Sequence, residues 1–333
     1  MRTQKIPELL APFPPLVNQF AEQSKENTRK WVRKFRLHEG SDYDAYLKDN
    51  LTYMTARFYP TASQERFFIA DQFNTLLFAM DDRMDHQDNK DLIISSRERF
   101  SKFIDACLLI MKGEYDAPLP PTGHLAALND VWSKVKTIST PAWQAKFTAG
   151  IRKMFDAALW AHDNFSARQI PSVAGFYTMR PFLGAAHTSS DMIEIIEQVY
   201  IPNTILELPY FQEITRLCQI TVCLANDMFS VMKEIGHQDY HNMVLIMMRE
   251  HDINLKQAMK QTRRLYTADM RQFLRLMSIH SHQLFTGYET EIQRYKQCLQ
   301  AIMRGNIDWS TKETNRYPNF VYGVQKRVKR NEI

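Results

Sequence analysis

Two groups of oxygen-bearing side chains stand out in this chain of 333 residues. The first is Asp81-Asp82-Arg83-Met84-Asp85, which closes an apolar stretch containing Phe67, Phe68, Phe73, Leu76, Leu77 and Met80. On a helix, residues four apart leave from one face, so Asp81 and Asp85 point together with Asp82 beside them. Carboxylates this close repel one another, and burying them without a cation is unfavourable. Magnesium takes hard oxygen ligands, typically one or two carboxylates plus water and phosphate oxygens, and this cluster can supply them. The plain alternative is a solvated acidic helix end running on into His86, Gln87 and Asp88. A calcium loop does not fit, because no register of 81–92 carries the required Gly at the sixth position.

The second group is Asn226-Asp227-Met228-Phe229-Ser230-Val231-Met232-Lys233-Glu234. Asn226, Ser230 and Glu234 fall at i, i+4 and i+8, one polar stripe of an amide oxygen, a hydroxyl and a carboxylate. Val222, Leu224, Met228 and Val231 around them are apolar. Three oxygen ligands on an apolar helix are costly to bury unless something fills them, and one divalent cation would bind all three. Lys233 could reach an anionic ligand of that cation. An exposed polar stripe on a surface helix is the competing explanation.

The elements that must carry these groups are helical. A capping-box pattern, Thr61-Ala62-Ser63-Gln64, predicts a helix from near Thr61 into the acidic cluster. A second long helix is predicted from Leu206 to Glu234, with Gly236 placed to end it. Further amphipathic stretches cover roughly 14–36, 92–112, 143–164, 252–279 and 281–304. Breaks fall at Pro118, Pro120 and Pro121, then Pro141, Pro171 and Pro202. No alternating run of β-branched residues, internal repeat or dividing linker is found. The expected architecture is all-α, a single domain over 1–333 with ten or more helices around a central cavity, and loose ends at about 1–12 and 322–333.

Together the two motifs resemble the aspartate-rich and NSE motifs of microbial class I terpene synthases. Three further features agree. Arg180 lies 46 residues before Asn226, Arg316-Tyr317 looks like the family's C-terminal RY pair, and Trp309 looks like its aromatic neighbour. The order and spacing hold from the Trp31-Val32 region to Tyr317. The resemblance implies that Asp81 is the main carboxylate ligand of two magnesium ions, supported by Asp82 and Asp85. It implies that Asn226, Ser230 and Glu234 hold a third, with manganese a possible substitute. Arg180, Lys233, Arg316 and Tyr317 would donate to the diphosphate, and Leu183 and Gly184 would lie in the helix break after Arg180. The implied activity is ionisation of a prenyl diphosphate, farnesyl first and geranylgeranyl second, followed by carbocation cyclisation to a terpene hydrocarbon or alcohol.

A carbocation needs walls that stabilise charge without attacking it. Aromatic faces do this at about 0.5–2 kcal/mol each. Phe78, one turn before Asp81 and Asp82, is placed to face the same pocket, as is Trp309; core packing is the alternative for either ring.

Composition bounds the remaining classes. The chain is 44% hydrophobic and 24% charged, with a mean hydropathy of −0.40, a globular profile rather than a disordered one. Only 10 glycines argue against a fold of many hairpins. No pure apolar run is longer than Met243 to Met248, which is too short to span a bilayer. Prolines at 7, 12, 14 and 15 interrupt any signal-peptide core, and Cys107, Cys218, Cys223 and Cys298 form no CxxC pair, so a cytoplasmic protein with reduced thiols is expected. The net charge of +5 owes much to Lys326, Arg327, Lys329 and Arg330. A nucleic-acid module would need basic residues interleaved with aromatics on one face, which this tail and scattered pairs such as Arg263-Arg264 do not provide. A chain-elongating prenyltransferase would carry a second aspartate-rich motif in place of the NSE pattern. A monomer or a homodimer is expected.

Overall fold

A computed structural model describes residues 4–85, 96–237, 239–279, 285–317 and 320–323, with the side chains of Gln4 and of 83–85 outside the description. In chain order the helices are α1 (Ala21–Phe35), α2 (Gly40–Asp49), α3 (Leu51–Phe58), α4 (Gln64–Asp85), α5 (Arg97–Lys112), α6 (His124–Thr137), α7 (Pro141–Ser166) and α8 (Val173–Leu183). They continue with α9 (Ala186–Asp191), α10 (Ile193–Ile196), α11 (Asn203–Leu206), α12 (Pro209–His237), α13 (Met243–Glu250), α14 (Leu255–Met277) and α15 (Glu289–Lys312). Two three-residue strands, β1 (Gln4–Ile6) and β2 (Phe320–Tyr322), pair in parallel.

The core is one continuous apolar cluster. Helix α12 runs through it, burying Leu217, Ile220, Leu224, Met228 and Val231, and packs against α14, α15, α13, α8 and α9. Helix α4 packs on α1, α3 and α6, and α7 packs on α5 and α8. Stacked and edge-on rings of Trp132, Trp143, Phe147 and Phe73 join α6, α7 and α4. Asp71 on α4 is fully buried and accepts hydrogen bonds from Ser24 (2.7 Å) and Thr28 (2.6 Å) on α1 and from Thr52 (3.0 Å) on α3. These bonds lock α1 and α3 onto the helix that ends in the acidic motif. Helix α15 approaches α3 so closely at Gly305 that a Cβ there would stand 2.7 Å from the Arg57 Cβ.

Several boundaries differ from expectation. Helix α4 begins at Gln64 rather than Thr61, because the Thr61 N–H and hydroxyl are engaged by the Glu197 carboxylate. Helix α12 runs from Pro209 to His237, and Gly236 lies inside it instead of ending it. The segment expected over 281–304 is α15, which starts eight residues later and continues through Trp309. The helix expected from 14 begins at Ala21.

The N-terminal end, expected to be loose, is packed from Gln4 onward. β1 pairs with β2, Ile6 is buried, and the Leu9 N–H donates to the Tyr322 hydroxyl at 2.8 Å. Arg304 and Tyr266 hold the Ala11 and Leu10 carbonyls at 3.3 and 2.8 Å. Three-residue strands are too short to leave an alternating signature in sequence. The basic tail residues Lys326, Arg327, Lys329 and Arg330 lie outside the described residues. Among the described residues, no helix is long and apolar enough to cross a membrane, and all four cysteines are free and buried.

Candidate active site

A cavity of about 250 Å³ opens between α4, α7, α8, α9, α12, α15 and the arm that follows α15. Part of its wall is apolar, with Met54, Phe58, Leu77, Met154 and Phe155. At one end Asp81 of α4 lines it, and Asn226, Ser230, Lys233 and Glu234 of α12 line it from the facing side. The two polar motifs, remote in sequence, therefore share one hollow. Asp82 is not in the lining; it turns toward Arg316. Asp85 belongs to α4, but its side chain lies outside the described residues.

Arg316, on the arm, ties the acidic motif down. Its guanidinium donates to Asp49 (3.0 Å), to Asp82 (2.5 Å) and to Asp81 (3.5 Å), and it lies over the Phe78 ring at 5.2 Å. Burial alone would raise the Asp82 pKa, but the charge and hydrogen bond of Arg316, with the charge of Lys233, hold it below the usual carboxylate range. The Lys233 charge also bears on Asp49 and Tyr317, so it reaches across from α12 toward the acidic motif. The Asp81 side chain remains 51% exposed.

The stripe on α12 has its own supports. Ser230 donates to Glu234 at 2.8 Å, and Asn242, the N-cap of α13, donates to the other Glu234 oxygen and to the Asp227 carbonyl (2.8 Å). Burial, then the charge of Asp227, pushes the Glu234 carboxyl up to about 8. A buried carboxylate short of positive charge beside an amide and a hydroxyl oxygen is a donor set that suits a hard dication. Among the described residues no three His, Cys, Asp or Glu side chains converge on one metal position. The stripe provides one carboxylate, and its other oxygens are neutral.

Arg180 sits at the end of α8, buried, where it donates to Asp227 (2.8 and 2.6 Å) and to the Asn226 Oδ1 (3.0 Å). Pro181 inside α8 and Ala185, with a φ of 51°, end the helix just beyond. Leu183 and Gly184 in this break line the cavity. A Cβ on Gly184 would stand 2.7 Å from the Arg180 guanidinium and 3.3 Å from the Cys223 sulfur, so the missing side chain makes room for the arginine. Trp309 is buried in the wall, its indole N–H held by the Asp49 and Asn50 carbonyls at 3.1 Å each, with Phe78 and Tyr317 edge-on to it.

Sequence reasoning missed Asp227, Asn242 and Asp49. Asp227 carried a local signal, a second polar residue beside Asn226 in an apolar helix. It accepts from Arg180 through one oxygen and from the Met243 N–H (2.9 Å) through the other, so it orients the arginine. Asn242 and Asp49 have no local signal; their partners come from other elements.

Residues 72–272 match the family described as terpene synthase family 2, C-terminal metal binding. The chain belongs to this family. It is a class I terpene synthase, a carbon–oxygen lyase of the terpene cyclase type, and its family implies use of a divalent metal. It is 27% identical over 317 residues to a (+)-T-muurolol synthase, named as farnesyl diphosphate cyclizing, from Roseiflexus castenholzii, covering 93% of each chain. A 10-epi-cubebol synthase of Sorangium cellulosum is 25% identical over 91% of this chain and 95% of its own. Among solved structures, an α-eudesmol synthase superposes with a TM-score of 0.80 at 20% identity, covering 91% of this chain and 98% of that one. Germacradien-4-ol synthase from Streptomyces citricolor gives 0.77 at 20% identity, covering 93% and 99%. These structural likenesses confirm that the terpene synthase has the helical class I fold.

Proposed function

We propose that this terpene synthase carries out magnesium-dependent ionisation of farnesyl diphosphate, with geranylgeranyl diphosphate the second choice, and cyclises the cation to a terpene hydrocarbon or alcohol. The observation that carries this reading is the meeting of Asp81 with Asn226, Ser230 and Glu234 at the polar end of one apolar cavity. The Roseiflexus relative's name supports the farnesyl chain. The whole chain is read as one domain acting in the cytoplasm as a monomer or homodimer, without a nucleic-acid partner.

Asp81, Asp82 and Asp85 would hold two magnesium ions, and Asn226, Ser230 and Glu234 a third; manganese would substitute. When bound, such ions neutralise diphosphate charge and stabilise the charge that develops as the carbon–oxygen bond breaks. In that step the C1–O bond breaks heterolytically and its electron pair leaves on the diphosphate. Arg180, Lys233, Arg316 and Tyr317 stand around the same end and would donate to the diphosphate oxygens. Arg316 and Arg180 are oriented by acidic residues in this structure, and each guanidinium keeps further N–H groups that would donate to the phosphate oxygens. Phe78 and Trp309 would face the cation with ring surfaces that cannot attack it. A closed cavity excludes water until the final proton loss or water capture.

Incubation with geranyl, farnesyl and geranylgeranyl diphosphate, with and without magnesium, tests this. Diphosphate release and cyclic volatile products, read by mass spectrometry and greatest with the farnesyl substrate, are expected. Turnover that persists in excess chelator, or no product from any of the three, would refute it.

A further inference from the structure

Behind the polar end of the cavity, two asparagines interrupt the wall, and neither belongs to the acidic or NSE motifs. Asn74 of α4 and Asn306 of α15 both line the cavity. Asn74 lies one helical turn before Phe78 and Asn306 one turn before Trp309, the two rings that meet edge-on at 6.0 Å. Helix α4 runs on to Asp81, and α15 runs on to the arm whose Arg316 contacts Asp82. Both asparagines therefore stand one turn behind the ring pair, on the side away from the acidic motif. Their hydrogen bonds fix how the amides face. The Asn306 Nδ2 donates to the Val222 carbonyl of α12 at 3.2 Å, and a carbonyl oxygen can only accept. The Asn74 Nδ2 donates to the Thr55 hydroxyl of α3 at 2.9 Å. The amide oxygens are left over: among the described residues neither has a hydrogen-bond donor. Neither is a sealed atom, and both residues line the cavity, so the oxygens open onto it.

A carbocation suits such oxygens. An amide oxygen is the negative end of a fixed dipole, so it lowers the energy of positive charge placed beside it. It accepts and cannot donate, so it offers nothing to phosphate oxygens. Unlike a carboxylate, it is too weak a base to take a proton from the cation. The apolar neighbours Met54, Phe58 and Leu77 leave little to screen the dipole. Position agrees with this role. Asn74 precedes Asp81 by seven residues, about 10 Å along the helix axis, so it faces prenyl carbons well beyond C1. In ring closure the π pair of a distant double bond forms the new bond to C1, and the positive charge passes to the other carbon of that double bond. The rings of Phe78 and Trp309 cover the level nearer the diphosphate, and the two amide oxygens cover the level to which the charge moves.

We propose that Asn74 and Asn306 are specificity-determining residues whose amide oxygens stabilise the positive charge that ring closure moves away from C1. The inference rests on the reading of the site given under Proposed function. The test is product analysis by mass spectrometry, with diphosphate release measured alongside, in the presence of magnesium and the prenyl diphosphate that wild type turns over fastest. Asn74→Leu, Asn306→Leu and the double variant are compared with wild type, since leucine removes the dipole at similar size. The share of the main wild-type product is expected to fall about threefold or more in each variant. Acyclic or less cyclised hydrocarbons replace it, formed when an earlier cation loses a proton to the released diphosphate. Diphosphate release stays within about threefold of wild type, because ionisation takes place at the other end. Wild-type product ratios in Asn74→Leu would overturn the proposal, even where Asn306→Leu, which also loses its tie to α12, fails to fold. Slower diphosphate release at an unchanged product ratio would overturn it too, since a structural role predicts that pattern. Loss of alcohols alone, with the same carbon skeletons, would overturn it in favour of a bound water. Wild-type protein that forms no product from any of the three diphosphates would remove the site reading itself, and the proposal with it.

Discussion

Asn226 donates its amide N–H to the Tyr317 hydroxyl across 2.8 Å, while its carbonyl oxygen accepts from Arg180 at 3.0 Å. One amide therefore joins the α12 stripe, the arm after α15 and the end of α8. Tyr317→Phe removes this hydrogen bond, worth about 1 kcal/mol, together with the hydroxyl proposed to donate to the diphosphate. A several-fold fall in kcat/KM for diphosphate release is expected with circular dichroism unchanged. Wild-type kinetics in this variant would show that the arm is positioned without Asn226.

Asp227 and Arg180 form a buried ion pair behind the stripe. Removing one partner of such a pair leaves a charge buried alone, at a cost of about 3–5 kcal/mol. Asp227→Ala is therefore expected to lower the urea midpoint substantially as well as the turnover. The double variant Asp227→Ala, Arg180→Ala should lose less than the sum of the singles. Strict additivity would mean that the two side chains act independently.

Gly184 leaves room for the Arg180 guanidinium, which Asp227 and Asn226 hold in place. In Gly184→Ala the new methyl group meets the guanidinium at 2.7 Å, and the arginine must move away from those partners. The expected result is a drop in kcat/KM of about tenfold, equivalent to about 1.4 kcal/mol in barrier, together with a lower melting temperature as the buried ion pair is disturbed. Full activity would place the working position of Arg180 elsewhere.

Phe78 lies beneath Arg316 and edge-on to Trp309 at 6.0 Å. Phe78→Ala both lowers the cavity wall and removes the platform of the arginine. Altered product ratios by mass spectrometry, with a reduced rate, are expected. The same products at the same rate would remove this ring from the reacting cavity.

Asp71 gives a prediction about stability against pH. Burial raises its carboxyl above the ordinary value of 3.8, despite hydrogen bonds from Thr28, Ser24 and Thr52. The folded protein then keeps a proton that the unfolded chain has released. The contribution of this group is fully present below the unfolded pKa and is lost as pH rises through the folded one. Asp71→Asn removes the titration. As pH rises above the ordinary carboxyl range, wild type is expected to lose urea stability relative to this variant. Parallel stability curves would show that Asp71 carries no extra proton when folded.

Much of the site was legible from residue spacing. Asn226, Ser230 and Glu234 share a face because a helix brings back every fourth residue, and Asp81 follows Phe78 onto the cavity side for the same reason. The missed residues fail that logic. Asn242 reaches Glu234 from the start of another helix, and Asp49 reaches Arg316 from the end of α2.

By itself the sequence determined that two oxygen-rich faces exist on otherwise apolar helices, since periodicity is a local property of the backbone. The packing of α4, α12 and α15 decided that those faces share a cavity, that Arg316 spans the acidic motif, and that Asp227 turns inward to Arg180. Helix crossing angles and the choice of ion-pair partner depend on contacts between residues far apart in the chain, and no local pattern encodes them.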